Sequence, residues 1–270
     1  MYHPAHESQF LPGPIGVACG FGRLTPVDVR VVAPEDFARA AADAFLEAVA
    51  AAGPVVGLAT GNTPRPMYEE LRARVESGAV RTFVMRRMRP FAIDEYVCRR
   101  GDPCANRAYF AQHWETIPGA EAVVEFDGAA DDVIGEARRV DGQLKEAGGL
   151  GVALLGIGTN GHLAFNEPGA PPFGGAGLVT LAEASRRAAA ACWGDRPPSQ
   201  GLTLGLAELL AARKVVLLAA GAQKAGVLAQ ALEGPVGAHC PASFLQEHVD
   251  LTVVADRAAA VALRRSLPGT

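Results

Sequence analysis

The sequence has no apolar run near the roughly 18 to 20 residues that a bilayer-spanning helix needs, which excludes a membrane span of that kind. Its N-terminus lacks a basic start followed by an apolar core, so no secretory signal is read there. No Cys-x-x-Cys pair occurs, and the five cysteines (Cys19, Cys98, Cys104, Cys192 and Cys240) are odd in number. That argues against a zinc ribbon and against a disulfide framework, and the expectation is reduced thiols in a soluble cytoplasmic protein. Positive charge is also short: 25 Lys and Arg stand against 29 Asp and Glu, a formal net charge of -4. A phosphate backbone calls for clustered cations, so no nucleic-acid partner is expected. The one basic run, Arg81 to Arg89, is broken by Phe83, Val84, Met85 and Met88 and reads as a solvated approach to a strand. Lysine is scarce, with Lys145, Lys214 and Lys224 the only three among the 25 basic residues, so each invites inspection.

What is present is an alternation. Residues 1–26 hold prolines and glycines without periodicity and read as a loose leader. From Val27 onward, short apolar runs alternate with longer helical patterns. Strands are predicted at 27–32, 54–58, 91–96, 123–126, 152–155, 178–181, 215–219 and 251–254. Helices are predicted at 34–52, from about 65 to 78, at 102–114, 131–147, 183–192, 207–212, 224–233, 241–248 and 256–267. Such alternation predicts an α/β fold with a mainly parallel sheet and helices on both faces. No repeat or low-complexity linker divides it, so 27–270 is read as a single domain.

The organising stretch runs from Val152 to Pro168. Four apolar residues, Val152 to Leu155, end at Gly156, Gly158 and Gly161, and Thr159, Asn160, His162, Asn166 and Glu167 crowd the exit. Open α/β sheets place ligands beyond the carboxyl ends of their strands, although a packed structural histidine would read the same way. Three further places match in kind. Thr60-Gly-Asn-Thr-Pro64 leads from a strand into a helix, where backbone N–H groups and two hydroxyls suit a phosphate; Gly61 permits close approach, and Asn62 tolerates positive φ. Asp94 and Glu95 stand at a strand tip, either as a general base or as a helix cap. Gly221 to Lys224 repeats the strand-to-helix turn with a lysine opposed to the helix dipole, a conflict that an anion would relieve.

Together, Leu58-Ala-Thr-Gly-Asn-Thr-Pro64, Ile93-Asp-Glu-Tyr-Val97, Gly156-Ile-Gly-Thr-Asn-Gly-His-Leu-Ala-Phe-Asn-Glu-Pro168 and Gly221-Ala-Gln-Lys-Ala225 resemble the glucosamine-6-phosphate deaminase family, whose relatives include 6-phosphogluconolactonase. The resemblance covers Val27 to the C-terminus. Asp-Glu-Tyr and the Asn-Glu-Pro ending are similar to the deaminase branch. It implies a Rossmann-like three-layer αβα fold and conversion of an amino-sugar 6-phosphate, glucosamine or galactosamine 6-phosphate, to the ketose 6-phosphate with release of ammonia. No metal and no organic cofactor would be required, and a homo-oligomer stays open. Asp94 would move a proton between C2 and C1, and His162 would open the sugar ring. Glu167 would orient that histidine, and Thr60, Gly61, Asn62, Thr63 and Lys224 would hold the phosphate.

The chain also departs from the family pattern. Asn160 stands where deaminases commonly carry Asp, so the amide is expected to orient His162 without stabilising its charge; the galactosamine-type relatives resemble this chain in having Asn there, which points toward a C4 epimer as substrate. Ala191 falls where a phosphate-binding Arg is common, with Arg65 and Arg196 as substitutes to consider. Pro168 to Val179 lacks the basic residues of the regulated enzymes' allosteric pocket, so no activation by an N-acetylated sugar phosphate is expected. Two other readings stay open: a lactonase-like hydrolase in which His162 activates water, and a non-catalytic sugar-phosphate-binding protein.

Overall fold

The computed structural model describes residues 9–12 and 27–264. In chain order the elements are β1 (Gln9–Pro12), β2 (Asp28–Val32), α1 (Phe37–Ala52), β3 (Val55–Leu58), α2 (Arg65–Glu76), α3 (Thr82–Arg86), β4 (Arg89–Ala92), β5 (Asp94–Tyr96) and α4 (Asn106–His113). There follow α5 (Val133–Glu146), β6 (Val152–Gly156), β7 (Gly174–Thr180), α6 (Glu183–Trp193), β8 (Gln200–Thr203), α7 (Leu206–Leu210), β9 (Lys214–Ala219), α8 (Ala225–Glu233), β10 (Leu251–Asp256) and α9 (Arg257–Ala260). Six strands form a parallel sheet in the order β2-β10-β9-β6-β3-β4. Val55, Val56, Gly57 and Leu58 are all buried, as are Val152 to Leu155 and Val215 to Ala219. Strands covered on both faces read as unbroken apolar runs, which is why these were legible. Pro90, which has no N–H to donate, lies on the sheet-edge strand β4, where a proline is tolerated. Its carbonyl accepts from Val124 N, and Ala92 N donates to Val124 O.

A second, antiparallel sheet of four strands runs β1-β7-β8-β5. It corrects three expectations. Residues 91–96 are not one strand: β4 ends at Ala92, and β5 begins at Asp94 in the other sheet. Ile93 is the pivot, its N–H reaching Leu58 O at 3.4 Å and its carbonyl accepting from Leu204 N at 2.8 Å. Gln200–Thr203, where no strand is predicted, is a strand that pairs with both β7 and β5. Its glycine and polar residues carry no alternating pattern, and pairing on both sides compensates. Gln9–Pro12, inside the expected leader, pairs antiparallel with β7; the rest of 1–26 lies outside the described residues.

Smaller corrections follow the same logic. The basic run contains a helix, α3, around buried Met85. Residues 123–126 make only an isolated bridge from Val124 to Phe91. The closing helix stops at Ala260, and residues 265–267 of its expected span lie outside the described residues. Among the described residues no helix is long and apolar enough to cross a membrane.

Candidate active site

The carboxyl ends of the adjacent strands β3, β6 and β9 carry Thr60, the Gly156–Pro168 loop and Lys224. Lys224 sits at the N-terminal boundary of α8, and its Nζ donates to Ile157 O at 2.6 Å, so the side chain leans across to the β6 loop. Burial lowers its pKa from the usual lysine value. Gly221 takes φ +89°, and its N–H is held by Asp256 Oδ2 at 2.9 Å. The Thr60 to Pro64 turn follows the expected outline with one correction: Gly61 alone takes the left-handed backbone, at φ +102°, and Asn62 does not. Tyr109 in α4 donates its hydroxyl to Gly61 O at 2.8 Å, which ties the turn to a neighbouring helix.

The acidic pair at the tip of β5 divides its labour. Glu95 is the cap: its Oε1 accepts from Tyr96 N (2.7 Å) and Asn106 N (2.8 Å), and its Oε2 from Arg107 N (2.8 Å), so it holds the first N–H groups of α4 from outside that helix. Burial raises it to about 7, with those three N–H groups pulling the other way. Asp94 is 8% exposed, and Asn106 links it to Thr60 in the turn after β3. Burial pushes it up to about 8, and the Glu95 charge adds to the effect. Among the described residues its carboxylate receives one hydrogen bond, from Asn106 Nδ2 to Oδ1 at 2.6 Å.

His162 is fixed from behind. Its Nδ1 lies 3.3 Å from Glu167 Oε2 and 3.1 Å from Ser185 Oγ, and Ser185 donates to Glu167 Oε1 at 2.5 Å. A serine hydroxyl has one hydrogen; given to Glu167, it leaves Ser185 only as an acceptor toward the ring. That network assigns the ring proton to Nδ1 and leaves Nε2 as the basic nitrogen. Burial works to raise Glu167, but the hydrogen bond and charge of His162, with Ser185 and Asn160, outweigh it and hold Glu167 down at about 2. Asn160 does not touch the ring as expected. Its Nδ2 donates to Glu167 Oε2 at 2.9 Å, and its Oδ1 accepts the His162 backbone N–H at 3.3 Å.

The two halves are stitched together through β8. Asp94 pairs with Thr203, whose Oγ1 accepts from Phe165 N at 3.2 Å, and Asn166 Nδ2 donates to Leu204 O at 2.9 Å. Burial raises the pKa of Tyr96, and the charges of Asp94, Glu95 and Glu167 add to the effect. Ala164, at φ +51°, is the one non-glycine in the left-handed region among the described residues, and it lies between His162 and Asn166. Such strain gathers at functional loops, and nothing about an alanine announces it in sequence.

Three site residues were missed. Asn106 and Ser185 belong to helices whose sequence gives no sign of which face meets the site, and Thr203 belongs to the unread strand. The thiol expectation is corrected as well. Cys104 and Cys192, 88 residues apart, form a disulfide with Cα atoms 5.9 Å apart. The bridge joins the turn before α4 to the end of α6, a juxtaposition made only in three dimensions. Trp193 supports it by packing at a tilt against Tyr96, ring centroids 4.5 Å apart, and donating to Asp102 Oδ2 at 3.1 Å. Cys98 is partly buried and free, and Cys240 is buried and free. Among the described residues no group of three or more His, Cys, Asp or Glu is placed to hold a metal ion.

Known proteins are similar to this chain in sequence and in fold. The profile of the family described as glucosamine-6-phosphate isomerases/6-phosphogluconolactonase matches residues 32–254. The glucosamine-6-phosphate deaminase of Beutenbergia cavernae is 41% identical over 219 residues, covering 78% of this chain and 82% of that protein. That of Rhodopirellula baltica is 37% identical over 247 residues, covering 88% and 97%. A solved structure of a glucosamine-6-phosphate deaminase, described as monomeric, superposes with a TM-score of 0.82 at 30% identity over 87% of this chain and 100% of that one. The 6-phosphogluconolactonase of Trypanosoma brucei shares the fold at a TM-score of 0.67 and 23% identity, over 88% of this chain and 99% of that one. By sequence and by fold, the chain belongs to the glucosamine-6-phosphate isomerase/6-phosphogluconolactonase family.

Proposed function

We propose that the protein converts an amino-sugar 6-phosphate, with glucosamine 6-phosphate the first substrate to test, into the ketose 6-phosphate and ammonia. What supports this is a desolvated carboxylate, Asp94, together with an imidazole, His162, whose Nδ1 is engaged by Ser185 and Glu167, on segments joined through β8. His162 Nε2 takes the anomeric hydroxyl proton and returns it to the ring oxygen, which opens the sugar. Asp94 then removes the C2 proton and delivers it to C1. The C2 imine so formed adds water and expels ammonia, and the sum balances as amino sugar plus water giving ketose plus ammonia. Each transfer uses a group suited to it: a carboxylate beside an acidic C–H, and an imidazole between two oxygens.

Backbone N–H groups of Gly61, Asn62 and Thr63 at the start of α2, with Lys224 opposite, are assigned to the phosphate. Asn160 spends its amide on Glu167 and its carbonyl on the His162 backbone, so it acts on the histidine's support. The described residues from Val27 onward share one main apolar core, which supports taking 27–270 as a single domain. A cytoplasmic setting is proposed with the function, because a phosphorylated sugar is retained inside cells. The Cys104–Cys192 bridge is unusual for that compartment, and a thiol count on freshly purified protein addresses it directly.

The test follows ammonia and ketose formation from glucosamine 6-phosphate, galactosamine 6-phosphate and 6-phosphogluconolactone in parallel. Ammonia from an amino sugar at a rate well above lactone hydrolysis supports the reading. Folded protein that hydrolyses the lactone faster, or turns over none of the three, rejects it.

A further inference from the structure

The family resemblance implies a phosphate-holding role for Thr60, but its hydrogen points elsewhere. Its Oγ1 donates to Asn106 Oδ1 at 3.0 Å. Asn106 in turn donates through Nδ2 to Asp94 twice, to the backbone carbonyl at 3.0 Å and to carboxylate Oδ1 at 2.6 Å. Asn106 is 6% exposed. The polarity of this chain is forced. Both Asp94 atoms are acceptors, so the NH₂ end of the amide must face Asp94 and the carbonyl end must face Thr60. A hydroxyl facing a carbonyl must donate, and threonine has a single hydrogen. Toward the phosphate turn Thr60 therefore presents lone pairs, which an anionic oxygen avoids.

We propose that Asn106 is a positioning residue for Asp94 and that Thr60 serves as its orienter, not as a phosphate ligand. The chain Thr60 to Asn106 to Asp94 locks the amide so that a donor always meets the base, which favours its charged, proton-accepting form and fixes its direction. Asn106 is also anchored independently of its side chain, since its backbone N–H is held by Glu95. Side-chain variants at 106 thus keep the start of α4 in place. The ionisable groups that share Asp94's surroundings are Glu95, Tyr68 and Tyr96, and none of them is altered in the variants below. The proposal rests on the deaminase reading for its kinetic arm and is independent of it for the other two.

Three measurements are made on Thr60→Val, Thr60→Ser, Asn106→Asp and Asn106→Ala. These are kcat and KM for glucosamine 6-phosphate, affinity for inorganic phosphate by calorimetry, and titration of the Asp94 carboxyl by ¹³C NMR, assigned with Asp94→Asn. Thr60→Val is expected to lower kcat by ~10-fold while phosphate affinity stays within about 2-fold, and Thr60→Ser recovers most of the lost kcat. Asn106→Asp and Asn106→Ala are expected to raise the Asp94 titration by about one pH unit or more, because a donor to the charged form is gone. The proposal is overturned if Thr60→Val weakens phosphate binding by ~10-fold or more with kcat unchanged, or if Asp94 titrates as in the wild type in both Asn106 variants. If the wild type turns over no amino sugar, the deaminase reading fails, and the phosphate and NMR results still decide between the two roles of Thr60.

Discussion

Ser185 gives its hydroxyl hydrogen to Glu167 and stands 3.1 Å from Nδ1 of His162, so a serine on α6 decides which nitrogen of the histidine is basic. Removing it leaves the direct Nδ1–Glu167 contact at 3.3 Å, a longer and weaker restraint. Ser185→Ala is expected to lower kcat by ~10-fold with little change in KM. Glu167→Gln removes the charge that supports the ring, and an amide can present either end to Nδ1. It is expected to cost on the order of 10² to 10⁴ in kcat, the range seen when general acid–base catalysis is disrupted. Steady-state ammonia release from the two variants checks the order; a larger loss in Ser185→Ala than in Glu167→Gln would contradict the assignment.

Activity and stability should move in opposite directions with pH. Asp94, raised to about 8 by burial and by Glu95, accepts a proton only when ionised, so kcat/KM is expected to climb from pH 6 to about 8. Its folded-state value lies above its unfolded value, near 4. Between these limits the folded state holds a proton that the unfolded chain has released, so this group's stabilising contribution is complete below about pH 4 and is lost as pH rises through about 8. Asp94→Asn keeps the shape and can still accept from Asn106, yet it has no charge to bury. The variant should lose turnover, retain inorganic phosphate binding, and gain in Tm relative to wild type as pH rises from 5 to 8.5. Thermal melts across that range would refute the burial argument if the Tm difference stayed flat.

What the sequence made legible follows from physics that acts locally. Val152 to Leu155 and Val215 to Ala219 are buried on both faces and could only be apolar, so the parallel sheet and the loops at its carboxyl ends were readable. Glycines that the turns require, such as Gly61 and Gly221, marked those loops. The support of the site was not readable because it is made of pairings across long separations. Asn106 meets Thr60 across 46 residues, and Ser185 meets Glu167 across 18. Asp94 and Glu95 looked alike as neighbours. Successive side chains of β5 leave opposite faces, so Glu95 takes the first backbone N–H groups of α4 while Asp94 meets the Asn106 side chain.

The Cys104–Cys192 bridge closes a loop of 88 residues, for which chain entropy in the unfolded state corresponds to about 4 to 5 kcal/mol. It also fixes the turn before Asn106 to the helix that carries Ser185. Reduction is therefore expected to lower Tm by several degrees and to loosen both supports at once, with kcat falling more than phosphate affinity. Cys104→Ser should reproduce the reduced state and abolish any response to dithiothreitol. Thiol titration under denaturing conditions, before and after reduction, reports whether two extra thiols appear. Equal counts with an unchanged Tm would show that the bridge is not formed in solution.

Two glycines predict opposite outcomes for the same substitution. A Cβ on Gly158 would lie 2.3 Å from Cε1 and Nε2 of His162, so alanine there collides with a side chain that can rotate away. A Cβ on Gly205 would lie 2.0 Å from Gly174 O and 2.5 Å from Gly175 O, both backbone atoms of β7 that cannot yield without moving the strand. Gly158→Ala is expected to fold with a Tm near that of the wild type, while the displaced imidazole leaves Ser185 and Glu167 and turnover falls by ~10²-fold or more. Gly205→Ala should instead lose stability by roughly 2 to 4 kcal/mol, an overpacking cost against rigid atoms, with the folded fraction retaining the wild-type kcat. Melting curves paired with active-site-normalised rates separate the cases. A Gly158→Ala protein that keeps full activity would mean that His162 has room the structure does not show, and the role given to its orientation would fall with it.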